Sequence, residues 1–314
     1  MSDPSTSKRR PWIVVAGPTG SGKSELALRL GGALGAEIVN YDSIQVYRGF
    51  DIGSAKPSVA DRQLVPHHLI DEVDADEDYD AFRFAREARV ACDGIVTRGH
   101  QPILAGGTFF YLRALLRGLP PMPARDEAIR ARLRRVASSP RGPARLHRWL
   151  ARVDPQTGTR VAEGDRHRVE RALEVWILSG QPISRSQAPT ADSEVAADTI
   201  RIALTLPRER LVEILERRVD AMYAAGLIEE TRDLLQRFPA EARPFAAIGY
   251  REAAQVLGGA LAEPAAVAET KRRTRGYAKR QMTWLRSERN MHWVDAGSPE
   301  AAFQAALRVI EGQD

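Results

Sequence analysis

The chain has 314 residues, 43% of them hydrophobic, and a formal net charge of +5. This length suffices for a sizeable core and roughly two domains, and the single cysteine, Cys92, excludes a disulfide framework or a cysteine zinc site within one chain. No apolar run approaches the ~18 residues of a membrane span, so we expect a cytoplasmic protein without a membrane partner, and the basic excess suits a phosphate-rich one.

The first predicted elements are a short lead-in, a strand and a phosphate-binding loop. Residues 1–11 are mostly polar, which favours a disordered lead-in, and Ile13 to Ala16 form a buried strand. "GPTGSGKS" then matches G-x-x-x-x-G-K-[ST], and an Ala/Leu-rich helix follows. Such a loop turns its N–H groups inward, and the helix start adds partial positive charge for an anion. The predicted diphosphate-binding residues here are Gly17, Thr19, Gly20, Ser21, Gly22, Lys23 and Ser24.

Within this loop, two side chains have distinct predicted roles. Lys23 reaches the terminal phosphate, and the Ser24 hydroxyl is a ligand of Mg²⁺, the one cofactor that we expect. The loop reports phosphates and leaves open what they are attached to.

An aspartate follows the second predicted strand. Asp42 lies in "NYDSIQVY", at the carboxyl end of that strand and across the mouth of the phosphate loop. A carboxylate there can hold Mg²⁺ through water or accept a proton from a nucleophile that attacks near the diphosphate. It can equally cap the next helix, and its position alone leaves these interpretations open.

Two adjacent histidines, His67 and His68, raise a metal hypothesis. Neighbours on an extended strand point to opposite faces, so the pair could hardly grip one ion. A structural or substrate-lining role is favoured.

A third strand end carries Gly106, Gly107 and Thr108. A helix is predicted over 79–97, followed by the strand in "QPILAGGT" and another helix. The glycine amides and the threonine hydroxyl could bind a bridging or leaving phosphate oxygen. The alternative is an ordinary strand-to-helix turn.

The order of these elements predicts the fold class and the domains. Alternating strands and helices up to residue 119 indicate an α/β protein with a P-loop NTPase-like parallel sheet and helices on both faces, where ligand sites gather at the carboxyl ends of strands. Residues 120–197 form a predicted helical insertion. Prolines mark its beginning, and the helical stretch that follows has 13 Arg against 6 acidic residues between Arg125 and Arg171. The strand "TIRIALTLP" returns to the sheet, so the core comprises 12–119 and 198–314. From Arg208 onward the pattern predicts helices.

The C-terminal run "ETKRRTRGYAKRQMTWLRSERN" places eight basic side chains, up to Arg289, on a predicted helix with Tyr277 and Trp284. Basic groups interleaved with aromatics suit a nucleic-acid backbone, whereas a solvated basic face is the ordinary alternative. A second basic region, "GDRHRVERALEV" in the insertion, favours a two-sided clamp on a polyanion.

Together these motifs resemble one family. "GPTGSGKS", "DSIQVYRGFDIGSAKP", "PHHLID", "AGGTFFYLRALLRGLPPMP", "DRHRVERALEV", "RRVDAMYAAGL", "AIGYRE" and "TRGYAKRQMTWLR" are similar, in order, to the bacterial tRNA dimethylallyltransferases, from Trp12 to about Arg286. The resemblance implies transfer of a dimethylallyl group from dimethylallyl diphosphate to N6 of the adenosine 3′ of the anticodon, position 37, in tRNAs reading codons that start with U.

The resemblance also implies roles for residues. Asp42 would be the general base, Thr108 would contact the diphosphate and the acceptor, and Arg218 would grip the diphosphate. The implied partner is the anticodon stem-loop, bound by a protein that we expect to be a monomer with no obligate protein partner. The implied tRNA-binding positions are Asp42, Ser43, Ile44, Gln45, Thr108, Arg130, His167, Arg168, Arg171, Gly249, Tyr250, Arg251, Lys279, Arg280, Gln281, Thr283, Trp284 and Arg286.

This chain departs from the family pattern in a few places, namely at Phe109-Phe110, His167, Ile214 and Gly276. These departures concern individual contacts and leave the implied reaction unchanged. Two other classes share parts of the pattern. An ATP-dependent nucleoside or nucleotide kinase has the same loop and strand-end aspartate, and a P-loop RNA-binding module would keep the basic regions without needing Asp42.

Overall fold

A computed structural model describes residues 11–120, 122–186 and 198–312 of the chain. The predicted lead-in over 1–11 lies outside these residues except for Pro11. The chain separates into two compact units, Met1–Leu116 with Glu194–Asp314 and Arg117–Ser193.

The first unit is built on a parallel sheet. Its described strands are β1 (Trp12–Ala16), β2 (Glu37–Asn40), β3 (His67–His68), β4 (Pro102–Ala105), β5 (Thr199–Thr205) and β6 (His292–Asp295). They are ordered β3-β2-β4-β1-β5-β6, and each neighbouring pair is parallel. The α/β fold class is therefore confirmed, and β5 returns to the sheet, as the sequence predicts; it pairs with β1.

Helices account for most of the remaining described residues. They are α1 (Lys23–Leu34), α2 (Val59–Leu64), α3 (Ala81–Thr97), α4 (Phe109–Arg117), α5 (Glu127–Ala137), α6 (Gly142–Val153), α7 (Pro155–Arg160), α8 (Arg166–Ser179), α9 (Ile183–Ser186), α10 (Arg208–Ala224), α11 (Leu227–Arg237), α12 (Tyr250–Leu257), α13 (Glu263–Ser287) and α14 (Pro299–Glu311), with a 3₁₀ turn at Arg243–Ala246. Among the helices described, none is both long and apolar enough to cross a membrane.

The sheet is covered because alternate residues of each strand point to opposite faces. Ile13 and Val15 of β1 are fully buried in a cluster with Leu30 of α1 and Ala306 of α14. Helix α3 packs on β2 and β4. This packing fixes the carboxyl ends of β1, β2 and β4, where the sequence places its candidate site.

One sequence prediction for the C-terminal region is wrong. The pattern after Arg208 predicts helices alone, yet β6 adds a strand beside β5, with Val294 paired to Leu204. Only Val294 of this four-residue strand is buried, so its sequence carries little apolar signal. Helix α13 ends at Ser287, so Arg289 lies beyond the helix on which it was expected.

The second unit is helical in its described part. Leu133 of α5, Leu146 and Leu150 of α6 and Leu173 of α8 are buried together in its core. Aspartates cap α5, α7 and α8. At α5, for example, Asp126 accepts the N–H of Ile129.

Candidate functional site

The loop between β1 and α1 has the conformation that its glycines allow. Gly20 and Gly22 adopt φ angles of 80° and 87°, in the left-handed region that favours glycine. Gly22 immediately precedes α1, so the loop amides meet the positive end of the helix. A Cβ on Gly20 would lie 2.8 Å from Leu215 Cδ2 of α10, so the loop also packs too closely for a side chain there.

An open cavity of about 640 Å³ lies beside this loop, where β1, β2 and β4 end. It brings together seven of the predicted site residues: Thr19, Lys23, Ser24, Asp42, Gln45, Arg218 and Gln281. Gly106 and Gly107 line it from the end of β4. Apolar lining comes from Ala27, Ile38, Ile70 and Ala105, so the cavity has both charged and apolar walls.

Two cationic side chains, Lys23 and Arg218, line the cavity with one carboxylate, Asp42, to offset their charge. Burial, followed by the charge of Arg218, lowers the pKa of Lys23 to about 7, and the Asp42 carboxylate opposes this shift. Burial also lowers the pKa of Arg218, again against Asp42. The Lys23 ammonium donates to the Pro18 carbonyl at 2.8 Å. Burial desolvates both cations, and among the described residues Asp42 is the carboxylate that offsets their charge, so the cavity favours the binding of an anion.

Asp42 holds the backbone of the turn that follows β2 through one of its two carboxylate oxygens. Its Oδ1 accepts the N–H of Ile44 at 2.9 Å and more weakly that of Gln45 at 3.4 Å. These residues form a turn rather than the helix expected from the capping interpretation. Within the described residues no hydrogen bond reaches Oδ2, which lies close to Gly107 and leaves that oxygen for a ligand.

Thr108 lies beside Asp42 but not in the wall of the cavity. Its hydroxyl accepts the N–H of Ser43 at 3.0 Å and donates to Ser43 Oγ at 3.1 Å. A Cβ on Gly106 would lie 2.6 Å from the Tyr41 carbonyl carbon, so the turn after β4 approaches β2 more closely than another residue allows. Thr108 thus ties the two strand ends together.

Gln281 of α13 connects the two sides of the cavity. Its Oε1 accepts the Thr19 N–H at 2.7 Å, and its Nε2 donates to the Gly107 carbonyl at 2.8 Å. The Tyr277 hydroxyl donates to the same carbonyl at 2.8 Å. Gln281 is 3% exposed and lies in the cavity wall, and its predicted contact with RNA remains a prediction. Sequence reasoning missed Tyr277 as a cavity residue.

The oxygen ligands of the cavity fit a Mg²⁺ ion that would take further ligands from a bound anion and water. Mg²⁺ commonly takes one or two protein ligands and completes its shell with phosphate oxygens and water. The Ser24 hydroxyl and the Asp42 carboxylate line the same cavity. No group of three or more His, Cys, Asp or Glu in the described residues forms a self-contained metal site.

The predicted RNA-contact cations of α13 differ from the other cations of that helix in their ion pairs. Its first half is paired with acids: Lys271 with Asp220, Arg272 with Glu269, Arg273 with Glu252 and Arg275 with Glu216. In the described part of the chain no ion pair engages Lys279, Arg280 or Arg286, which are exposed together with Thr283. Trp284 stacks on Phe109 with ring centres 4.5 Å apart, which gives the first of the Phe109-Phe110 pair a packing partner.

In the insertion, two predicted RNA-contact arginines hold a buried carboxylate. Arg130 and Arg171 both donate to Glu174, which is fully buried. Burial would raise the pKa of Glu174, but these hydrogen bonds outweigh it and lower the pKa to about 2. His167 and Arg168 are exposed on α8. The sequence analysis did not identify Glu174 as the partner of these arginines, because a sequence pattern does not indicate which carboxylate an arginine pairs with.

The segment Gly249-Tyr250-Arg251 is mostly internal. Tyr250 is fully buried, and its hydroxyl donates to Glu230 Oε1 at 2.5 Å. The Gly249 N–H donates to Glu252 at 2.8 Å. Of the three residues only Arg251 is exposed, and the RNA contacts predicted for Gly249 and Tyr250 remain predictions.

The adjacent histidines have separate partners, as the strand argument predicts. His68 Nε2 lies 2.7 Å from Glu37 Oε2, and His67 Nδ1 lies 2.7 Å from the Val65 carbonyl oxygen. His67 lines the cavity. The pair occupies β3, at the edge of the sheet.

The sheet, the glycine loop and the cavity define an α/β protein with a P-loop-like fold, whose cavity lies at the carboxyl ends of parallel strands. A family model described as IPP transferase matches residues 45–288, and the chain belongs to this family. It is 45% identical over 295 residues to "tRNA dimethylallyltransferase 1" of Trichlorobacter lovleyi, covering 94% of this chain and 96% of that protein. Identity to the "tRNA dimethylallyltransferase" of Solibacter usitatus is also 45%, over 304 residues, 96% of this chain and 98% of that protein.

Solved structures agree with this assignment. The tRNA isopentenylpyrophosphate transferase of Bacillus halodurans matches with a TM-score of 0.69 and 32% identity, covering 97% of this chain and 98% of that one. A eukaryotic dimethylallyltransferase described as acting on tRNA matches with a TM-score of 0.75 and 29% identity, covering 95% of this chain and 78% of that one. The family resemblance drawn from the sequence motifs is thereby confirmed.

Proposed function

We propose that this protein is a cytoplasmic transferase that moves a dimethylallyl group from dimethylallyl diphosphate to N6 of adenosine 37, next to the anticodon, in tRNAs reading codons that start with U. Membership of the IPP transferase family and the names of its relatives support the reaction. The observation that carries the proposal is the meeting of Asp42 with Lys23 and Arg218 in one cavity.

The phosphate loop would hold the diphosphate of the donor. Its residues from Gly17 to Ser24 provide inward amides, and Lys23 and Arg218 provide positive charge where the described residues supply only Asp42 against it. Preorganised donors of this kind stabilise charge that develops on a leaving group. Mg²⁺, when bound at Ser24, would offset further charge on the diphosphate.

Asp42 would act as the general base. The adenine amine is a poor nucleophile because its lone pair is delocalised. As the bond from N6 to the allylic carbon forms, the bond from that carbon to the diphosphate oxygen breaks, and the N6 proton passes to Asp42. The Asp42 Oδ1 is held by backbone amides, so Oδ2 would be the oxygen that receives the proton. Thr108 would keep Ser43 and Asp42 in position through its two hydrogen bonds.

The acceptor would be an unstacked base in an anticodon loop. Extracting it from the loop costs a few kcal/mol, and contacts to the RNA backbone would offset that cost. The exposed cations Lys279, Arg280 and Arg286 on α13, with Arg168 in the insertion and Arg251, are the groups that we propose for these contacts.

A single comparison tests the proposal. Purified protein is incubated with Mg²⁺ and unmodified tRNA, together with either dimethylallyl diphosphate or ATP, and the digested nucleosides are analysed by mass. We expect prenylated adenosine with dimethylallyl diphosphate only, lost when the metal is chelated. Turnover or product with ATP alone would instead favour the kinase class.

The role of Asp42 is tested with a matched pair of variants. Asp42→Asn keeps the size of the side chain and the acceptor at Oδ1, and we expect it to lower kcat by about 10²–10⁴-fold. Asp76→Asn changes an exposed aspartate outside the cavity and should behave as wild type. Full activity in Asp42→Asn would favour the RNA-binding module, which needs no base.

A further inference from the structure

One wall of the cavity is a backbone segment rather than a helix or strand. Residues 51–57, "DIGSAKP", hereafter the wall segment, contribute Ser54, Ala55 and Pro57 to the lining. Lys56 of this segment pairs with Asp71, the residue after the apolar lining residue Ile70. The wall segment is therefore attached next to Ile70, one of the apolar residues that line the cavity.

From inside, the wall segment is tied to the turn that carries Asp42. Gln45 Nε2 donates to the carbonyls of Ser54 and Ala55, both at 3.1 Å. Ala55 adopts φ = 48°, a left-handed conformation that is uncommon for a residue with a side chain. Such a conformation persists where the surroundings hold it in place.

From outside, one carboxylate holds the other end of the wall segment. Glu230 of α11 accepts the N–H of Ile52 at 2.8 Å, with longer contacts to the N–H groups of Asp51 and Gly53 at 3.3 and 3.5 Å. The buried Tyr250 hydroxyl donates to Glu230 at 2.5 Å and accepts the Gly53 N–H at 3.1 Å. Hydrogen bonds to a charged carboxylate are about twice as strong as neutral ones.

Close packing reinforces this arrangement. A Cβ on Gly53 would lie 2.5 Å from the Tyr250 ring. The Tyr250 ring also packs edge-on against Phe50, with centres 4.8 Å apart. Glu230 and Tyr250, hereafter the outer clamp, thus fix the backbone at the start of the wall segment without lining the cavity themselves.

We propose that Glu230, oriented by Tyr250, is a positioning residue that fixes the wall segment and thereby limits the length of the prenyl chain that the cavity accepts. This inference rests on the proposed function. With the diphosphate at Lys23 and Arg218, the chain extends toward the apolar lining, and the wall segment bounds that side. A longer chain needs the wall segment to yield, and the outer clamp opposes that movement.

The experiment measures kcat/KM for dimethylallyl diphosphate and for geranyl diphosphate with the same unmodified tRNA. Glu230→Gln replaces an acceptor oxygen by an NH₂ donor that faces backbone N–H groups. We expect it to lower the ratio of the two kcat/KM values, short donor over long, by about tenfold, the scale on which a pocket discriminates small apolar differences. Tyr250→Phe, which removes only the hydroxyl, should lower the ratio by less, about threefold.

Glu229→Gln is the matched control. Glu229 is the neighbouring residue on α11, exposed and paired with Arg232, and should keep the wild-type ratio. Equal losses of kcat/KM for both donors in Glu230→Gln and Tyr250→Phe would overturn the inference. An outer clamp that only stabilises the fold would leave the ratio of the two kcat/KM values unchanged. If Glu230→Gln does not fold, the ratio of Tyr250→Phe decides in the same way. A wild-type protein that prenylates no tRNA would overturn the proposed function as well.

Discussion

The cavity and the insertion use arginine and lysine in opposite electrostatic states. In the cavity, Lys23 and Arg218 both have lowered pKa values, with Asp42 as the opposing charge. In the insertion, Arg130 and Arg171 converge on the buried carboxylate of Glu174, whose pKa is lowered to about 2. Arginines that pair with one buried carboxylate stabilise the fold of the insertion. Buried cations without a full complement of carboxylates instead favour the binding of an anion. Counting basic residues in a sequence does not distinguish the two.

Within this comparison of cavity and insertion, the largest effect should follow from removing Lys23, one of the two cavity cations. Lys23→Met keeps most of the side-chain volume and deletes its charge. We expect kcat/KM for dimethylallyl diphosphate to fall about 10²–10³-fold, because a donor to the developing diphosphate charge is lost. The melting temperature should stay unchanged or rise, since the ammonium is desolvated in the folded state. A large drop in melting temperature would contradict the contrast drawn here.

For the buried Glu174 and its two arginines we expect the reverse: a loss of stability without a loss of diphosphate binding. Glu174→Ala leaves the Arg130 and Arg171 guanidiniums without their acid, and breaking a buried pair costs about 3–5 kcal/mol. Chemical denaturation should therefore show lower stability, while diphosphate binding measured by calorimetry stays near wild type. Arg134→Ala, which removes an exposed arginine paired with exposed Glu127 on α5, is the control and should change stability little.

The lowered pKa of Lys23 makes anion binding depend on pH. A diphosphate favours the charged ammonium, so binding should take up protons above pH 7 and weaken by at most about tenfold per pH unit. The sign for folding is opposite: between pH 7 and the ordinary value of 10.5, the unfolded chain binds more protons at Lys23, so this group's contribution to stability rises with pH. Calorimetry in buffers of different ionisation enthalpy measures the uptake, and Lys23→Met corrects for the ligand's own protons.

The smallest effects are expected on the surface of α13. Lys279→Ala should weaken tRNA binding a few-fold and reduce the salt slope of log affinity by about 1, as for one lost phosphate contact. Arg272→Ala on the same helix, already paired with Glu269, should leave the slope nearly unchanged. Filter binding of tRNA over a salt series distinguishes the two variants. Equal salt slopes would show that an ion pair with a neighbouring acid does not prevent a cation from binding RNA.

The contrast also shows what the sequence could reveal. The phosphate loop, β2 and its aspartate, and β5 beside β1 were predictable, because each has a strong local pattern of apolar runs, glycines or strand ends. Strand β6 was not, since Val294 is its one buried residue. Nor were the partners of arginines and tyrosines: Glu174 and Glu230 are ordinary helical glutamates in the sequence, and only tertiary packing brings Arg130 or Tyr250 to them. Tyr250 carries a motif that suggests a surface role, yet its ring is in the core.

Gln281 has a consequence for how ligands influence one another. One side chain of α13 touches the phosphate loop at Thr19 and the β4 turn at Gly107, while the exposed cations Lys279 and Arg280 lie two residues and one residue before it. Any molecule that shifts this part of α13 changes the affinity of the loop for an anion. By thermodynamic reciprocity, the anion then changes the affinity for that molecule by the same factor. Two ligands that never touch would thus share one free energy of coupling, transmitted through a single amide.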